Sequence, residues 1–392
     1  MEKIFYITDF GATTESDDNA KYIQAGIDSL EKGGTLVVPA GEFVTGALSL
    51  KSDIHIILEA GAVIKAHKDI NKYVMNGFYD SFGNETNSFI TAYNCENITI
   101  SGDGKIDMQG CAFVDFEPSD SEKSIPSELY QQTPAKPLNR PRRPILFSDC
   151  KNIRIRNIKI EDAPCWTITF HNSEYIKINS VSVKNNPRIP HNDGLHFTAC
   201  KKVIVNDCDF VCGDDCIAIT SLFDYSLPTD GIIISNCHMS SRSAAIRVGH
   251  ISSRVKNVVI SNIVIENTNR GIAIFAGDDG CVENVRISNI IMETQLYHGG
   301  WWGKGEPIVI CTYNSTGSAK NITFDGVFAK SENSVIVAGN NMSDIKFRDC
   351  SFDIDFDKYT ADSYELSPNG LAERTVSQTE IVNISDTKII IE

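Results

Sequence analysis

Two short β-branched alternations joined at an Asn or Asp recur through most of this 392-residue chain. The motif first appears as Asn97-Ile98-Thr99-Ile100-Ser101-Gly102 and is fullest in Asn152-Ile153-Arg154-Ile155-Arg156-Asn157-Ile158-Lys159-Ile160. Further copies run over 175–183, 202–210, 231–239, 257–265, 284–292, 321–329 and 344–352. Their leading residues Ile153, Ile176, Val203, Ile232, Val258 and Val285 stand 23 to 29 residues apart. The period of two within each copy puts Ile and Val on one face and Lys, Arg or Ser on the other. One such pair of strands cannot bury its apolar face alone. Stacking successive copies in parallel, about 4.8 Å apart, buries it continuously. The expected fold class is therefore all-β, a right-handed single-stranded parallel β-helix. The corner Asn or Asp tolerates left-handed backbone and can bond local backbone or its equivalent in the next coil.

No linker divides the chain, so one domain is expected over 1–392, with a cap and first coils in 1–66. Central coils follow in 67–360 and a C-terminal coil or cap in 361–392. A capping helix is expected over 17–31, with Asp17 or Asp18 as N-cap, Ala20, Ile23, Ile27 and Leu30 on one face, and Gly33-Gly34 as the stop. Two segments break the repeat near 111–144 and 294–307. The first is polar and Pro-rich, with Arg140, Arg142 and Arg143 near its end; the second carries Tyr297, His298, Trp301 and Trp302 among glycines. Both are too long for plain connections and read as excursions over one face.

A 42% apolar, 22% charged composition belongs to a soluble globular protein, and a formal net charge of -15 argues against nucleic acid and anionic membrane as partners. The apolar run near the N-terminus is too short for a signal-peptide core and no segment reaches the roughly 20 apolar residues of a membrane span. A cytoplasmic protein is the resulting expectation. Among 12 cysteines, Cys208, Cys212 and Cys216 recur four apart. That spacing invites a metal reading, but thiols are also small hydrophobes suited to a buried column, with Cys208, Cys237 and Cys350 in equivalent slots. No metal and no cofactor are expected.

Aligning coils by their inward residues places Leu195, Ile217, Ile246 and Ile272 in one column. The outward column that follows reads His196, Ala218, Arg247, Ala273. Two residues before the inward column stand Asp193, Asp215, Ala244 and Arg270, and before those Asn192, Asp214, Ser243 and Asn269. Asp193 and Asp215 are thus expected to stack one coil apart, with Asp214 beside them and Arg247 and His196 near. Like charges at that spacing raise one another's pKa, so one carboxyl can stay protonated while its neighbours ionise. Glycosidic hydrolysis needs that division between an acid and a base. The other readings are a solvated Asp-Asp corner, a Ca²⁺ site, a surface Arg247 and a structural His196. Trp301 and Trp302 suit either stacking on sugar rings or plugging a core. His171, His238 and His250 carry no assignment.

These residues make the chain resemble the polygalacturonase-like glycoside hydrolases, family 28, of the pectin-lyase-like β-helix superfamily. The likeness covers almost the whole chain. It begins with Asp9-Phe10-Gly11-Ala12, Gly33-Gly34-Thr35-Leu36-Val37-Val38-Pro39-Ala40-Gly41, Leu50-Lys51-Ser52 and Leu58-Glu59-Ala60-Gly61-Ala62. It continues through Arg143-Pro144 and Pro164-Cys165-Trp166. The family's Asn-Thr-Asp-Gly and Gly-Asp-Asp read here as His191-Asn192-Asp193-Gly194 and Gly213-Asp214-Asp215. The resemblance implies that Asp214 is the general acid, that Asp193 and Asp215 hold and activate water, and that the anomeric configuration inverts. The family's Gly-His-Gly aligns with Ser243-Ala244-Ala245, and its Arg-Ile-Lys, whose cations grip the galacturonate carboxylate, with Ala273-Ile274-Phe275. Arg247 and Arg270 are the candidates to replace that charge.

The function expected is an inverting, exo-acting glycoside hydrolase on pectin-related or other polysaccharide-derived oligosaccharides, with an altered binding subsite. Asp193, Asp214 and Asp215 are the expected catalytic residues. His191, Asn192, His196, Arg247, Arg270, Trp301 and Trp302 are the expected substrate contacts. A β-helix lyase or transglycosylase, and a non-catalytic carbohydrate-binding solenoid, are the alternatives.

Overall fold

The computed structural model describes residues 3–30, 33–79, 85–222, 226–313, 316–355 and 380–392. The repeat folds as its periodicity requires. Both alternations of each coil join one 20-stranded sheet, and the residues before and between copies supply an 11-stranded sheet running from Leu48–Ser49 to Ile381–Ser385. Strands pair in parallel with their equivalents one coil on. Ile153 lies on Ile176, Ile176 on Val203, Val203 on Ile232 and Ile232 on Val258. This is the stacked architecture of a parallel β-helix.

Like sits on like inside. Ile145, Ile168, Leu195, Ile217, Ile246, Ile272 and Ile308 form one fully buried column across the 11-stranded sheet. Phe147, Phe170 and Phe197 stack beside it with ring centroids 5.2 Å apart. Each buried side chain of this size contributes roughly 1.5–3 kcal/mol, so the columns hold the coils in register.

The corners behave as expected. Asn97, Asn152, Asn257, Asn284 and Asn321 all have φ near +55 to +60. Asn284 Nδ2 donates to Asn257 Oδ1 (3.1 Å) and Asn321 Nδ2 to Asn284 Oδ1 (2.8 Å). At the bend inside each copy a second ladder climbs from Asn206 through Asn236 and Asn262 to Asn289. Cys208 and Cys237 are buried in the column proposed for thiols, and Cys350 lies at its less buried end.

The capping helix is shorter than expected, Ala20–Ser29, with Asn19 as N-cap. Asp18 does not lead it because its carboxylate accepts from both Ala20 N and Gly46 N, and Asn19 bonds Thr13 and Val44 backbone. These contacts hold 18–19 against the first coil before the helix begins. Ile23, Ile27 and Leu30 are buried and close the solenoid. At the other end, Ile381–Ser385 and Ile390–Ile391 complete the stack; residues 361–379 of the expected C-terminal segment lie outside the described residues. No helix among the described residues is long and apolar enough to cross a membrane.

Both excursions leave the same corner, before the 11-stranded sheet. In the first, Val114–Asp115 pairs antiparallel with Lys136–Pro137 around a helical turn, Ser127–Tyr130. Arg140 pins it by donating to the carbonyls of Pro164 (2.7 Å) and Pro190 (2.8 Å). The second meets the first: Trp301 Nε1 donates to Gln132 O (2.6 Å) and His298 N to Gln132 Oε1 (3.1 Å).

The Asn ladders imply a measurable asymmetry. Asn262, φ +58, both donates to and accepts from its ladder neighbours. Asn262→Ala should cost about 1–2 kcal/mol through forced left-handed backbone, and Asn262→Gly less, since glycine takes that conformation freely; urea midpoints of the two variants compare them.

Candidate active site

The outward face of the 11-stranded sheet carries the site. Thr169, His196, Ala218, Arg247, Ala273 and Val309 stand in register along it, as the sequence alignment of coils required. Just before each strand the chain turns, and two of these turns interlock. Asn192 Oδ1 accepts from Gly213 N (2.5 Å) and its Nδ2 donates to Asn186 O (2.9 Å). A side chain at Gly213 would strike the Ile189 carbonyl and Asn192 itself; one at Gly194 would strike the Cys216 carbonyl. The glycines of both motifs are thus demanded by the closeness of consecutive turns, and that closeness brings the aspartates together.

Asp193 and Asp215 are fully buried and share one cation. Arg247 donates through Nε to Asp215 Oδ2, and its terminal nitrogen lies 3.9 Å from Asp193 Oδ2. Asp215 also accepts from Ala244 N (3.3 Å), and Asp193 meets His196 Nδ1 at 3.0 Å. Asp214 is the outermost carboxyl, its side chain 21% exposed. It accepts from Asp215 N (2.9 Å) and lies 3.5 Å from His191 Nδ1. Burial, then repulsion from Asp214 and Asp215, holds the Asp193 carboxyl well above the ordinary range. Burial raises Asp215 to about 6, against the attraction of Arg247. Asp193 and Asp215, both facing Arg247, interact closely enough that their protons belong to the pair.

They open into a cavity of about 480 Å³ lined by Trp166, His191, Asp193, Asp214, Asp215, Leu222, Arg247, His250, Gly300, Trp301 and Trp302. Beyond Arg247 the sheet face is apolar and covered. Ala244, Ala273, Phe275, Val309 and Cys311 are buried there, with Trp302 and Tyr313 packed on them. Trp302 lies 4.9 Å from the Phe275 ring and faces the Arg247 and Arg270 guanidinium groups at 5.5 and 4.8 Å. The second excursion thus fills the groove on that side and leaves a pocket.

Several expected contacts are placed differently. Arg270 is fully buried and outside the cavity, paired to Glu306 through Nη2 (3.0 Å) and Nε (3.3 Å). Its charge is neutralised by the second excursion and does not reach a ligand. Asn192 is buried in the turn interlock, and His196 beneath Asp193, so neither side chain faces the cavity. Trp301 is 6% exposed and tied to Gln132; it lines the cavity as a wall. His191, Arg247 and Trp302 line it as expected. Four further lining residues, Trp166, Leu222, His250 and Gly300, have no role assigned from the sequence. Trp166 stands two residues before Ile168, as Asp193 stands before Leu195, so coil alignment places it one coil from Asp193. His250 follows Gly249 (φ +82) in a turn that leaves no periodic signal; burial and Arg247 push its imidazole down to about 3, keeping it neutral. Among the described residues no group of three or more His, Cys, Asp or Glu side chains is arranged to hold a metal ion.

Comparison with known proteins places this geometry. The model for glycosyl hydrolases family 28 matches residues 31–365. A probable polygalacturonase of Vitis vinifera is 28% identical over 76% of this chain, which spans 62% of that protein's length. An endo-polygalacturonase of Pectobacterium parmentieri is 24% identical over 83% of this chain and 81% of its own. Among solved structures, an exopolygalacturonase from Thermotoga maritima superposes with TM-score 0.71 at 22% identity, over 90% of this chain and 87% of that one. At such identity the likeness carries the fold.

The buried Arg270–Glu306 pair gives a direct prediction. Glu306→Gln strands the Arg270 charge among apolar neighbours and should cost about 3–5 kcal/mol. Chemical denaturation of the variant measures it.

Proposed function

Because the chain belongs to glycosyl hydrolase family 28, we propose that it is an inverting glycosidase that removes single sugars from the ends of pectin-related or similar oligosaccharides. Asp214, the outermost carboxyl, protonates the leaving oxygen; Asp193 and Asp215 hold and activate the attacking water. The observation that carries this reading is the convergence of three carboxyls from consecutive turns at the floor of one pocket, two of them on a single guanidinium. Burial holds two of them, Asp193 and Asp215, above the ordinary carboxyl range, and cleavage of a glycosidic bond needs both an acid and a base beside it. Arg247 keeps Asp215 ionisable despite its burial.

Exo action rests on Trp302 and Tyr313. They cover the sheet face beyond Arg247, so among the described residues the groove is filled on the side where a bound polymer would continue. Exopolygalacturonases from Thermotoga maritima and Yersinia enterocolitica share the fold, which agrees with this reading.

The sugar at the cleaved bond is best read as uncharged. Where the family resemblance expects two cations, Ala273 and Phe275 stand beneath Trp302. Arg247, the one cation lining the cavity among the described residues, is engaged by Asp215 and Asp193. The remaining lining, Trp166, Leu222, neutral His250 and Trp302, suits the hydroxyls and apolar face of a neutral ring.

A four-compound panel tests the proposal: trigalacturonate, its methyl ester, p-nitrophenyl α-galactopyranoside and p-nitrophenyl α-rhamnopyranoside. The uncharged compounds should be cleaved faster than trigalacturonate, with the inverted anomer first in the NMR spectrum. Asp214→Asn should lower kcat by at least about 10³-fold at unchanged Tm. Products carrying a new double bond would instead mark a lyase, and an Asp214→Asn protein of full activity would remove the acid.

The pH profile is a second check. Asp215 must be ionised to act on water, and its carboxyl sits at about 6. Asp193, which must also be ionised, is likewise held well above the ordinary range, so as pH falls kcat/KM should already be declining at 6, about two units above an ordinary aspartate. Arg247→Gln, which removes the opposing cation, should move that limb to higher pH.

A further inference from the structure

We propose that His196 is a positioning residue for Asp193: a neutral imidazole that donates its Nδ1 proton to the carboxylate and is locked in that tautomer by the Thr220 hydroxyl. The inference rests on the reading of Asp193 as a water-holding carboxylate.

The contacts form one chain in the fold. His196 Nδ1 lies 3.0 Å from Asp193 Oδ2 and Nε2 lies 3.1 Å from Thr220 Oγ1. In the ionised form that the water-holding role requires, Asp193 only accepts, so the ring must supply the proton between them. The Thr220 hydroxyl lies 3.4 Å from the Phe197 carbonyl as well; with its single proton directed at the nearer Nε2, Nδ1 is left as the protonated nitrogen. Registry explains the meeting. His196 and Thr220 are outward residues of adjacent strands, Leu195–Thr198 and Ile217–Thr220, and Asp193 lies three residues back at the turn.

The ring cannot turn away. Trp166 stacks on it with centroids 3.8 Å apart and planes 24° from parallel. Behind Trp166 stands the Arg143 guanidinium, 5.1 Å from its ring and 5.3 Å from the Phe78 ring beyond. Arg143 Nη1 donates to Thr86 Oγ1. A continuous stack of Phe78, Arg143, Trp166 and His196 thus ends against the Asp193 carboxylate. His196 is fully buried, so it cannot touch a sugar. Burial foremost, then Arg247, Arg143 and His250, the groups facing it besides Asp193, oppose a second proton on the ring. Asp193 in turn faces Asp214, Asp215, Arg247 and Cys165. With two like charges pressing on it, its carboxylate needs a fixed donor to hold both ionisation and direction.

Two substitutions separate positioning from filling. Asn places its amide nitrogen near the imidazole Nδ1, so His196→Asn keeps a donor to Asp193. Gln reaches toward the Nε2 position, so His196→Gln keeps the Thr220 contact and fills more space. On whichever panel compound the wild type cleaves, His196→Gln should lose about 10²-fold in kcat, the scale of an ångström's misplacement, with KM little changed. The acid limb of its pH profile should move upward because Asp193 has lost a donor. His196→Asn should stay within about tenfold. Equal losses in both variants with an unmoved pH profile would overturn the proposal, as would a rise in KM alone. Nitrogen NMR of ¹⁵N-histidine-labelled wild type gives a readout free of activity. A neutral, Nδ1-protonated ring from pH 5 to 8 is expected for His196, and an Nε2-protonated or doubly protonated ring sinks the idea. If both variants fail to fold, those shifts decide alone. A wild type that cleaves no panel compound counts against the functional reading, and the tautomer still decides this one.

Discussion

Coil-on-coil registry is the constraint from which everything else in this molecule follows. A parallel ladder fixes each residue over its equivalent one turn away, and inward Ile and Phe columns prevent a one-residue slip, which would turn every apolar side chain outward. Residues far apart in sequence therefore meet because they share a position within the repeat. Asp193, Asp215 and Arg247 come from three consecutive coils, and no local motif could assemble them.

That geometry is electrostatically costly. Three carboxyls at one corner repel, and two are removed from water. The molecule manages this with a single guanidinium rising from the next coil, backbone donors from Ala244 and Asp215, and the His196 imidazole. A buried charge cluster is stable only when each member finds a partner, and here every partner is supplied by registry or by interlocked turns. The same rule governs Arg270 and Glu306, where an excursion delivers the counter-charge that the coil itself lacks.

The fold was largely legible because its signal is periodic. Alternation, corner Asn residues and the spacing of copies are local patterns, and aligning them placed the columns correctly. The three aspartates and Arg247 were legible for the same reason. What failed depended on segments outside the repeat. Arg270 is expected as a substrate contact because nothing in its own coil answers its charge; Glu306 arrives from a non-periodic excursion. His196 and Asn192 are expected as ligand contacts because alignment tells which way a side chain leaves the sheet but not what lies above it. The helix starts three residues later than expected because Asp18 and Asn19 bond Gly46 and Val44, a tertiary demand invisible to capping rules.

The seam between the two excursions has a consequence for how the protein comes into being. Gln132 receives Trp301 across 169 positions of chain. Coils of a solenoid can accrete one upon another as the polypeptide leaves the ribosome, N-terminal end first. All three aspartates are then in place well before Trp301 and Trp302 have been synthesised. Under that order maturation is staged: an acidic trough forms first, and it becomes a walled pocket when the later-synthesised tryptophans dock.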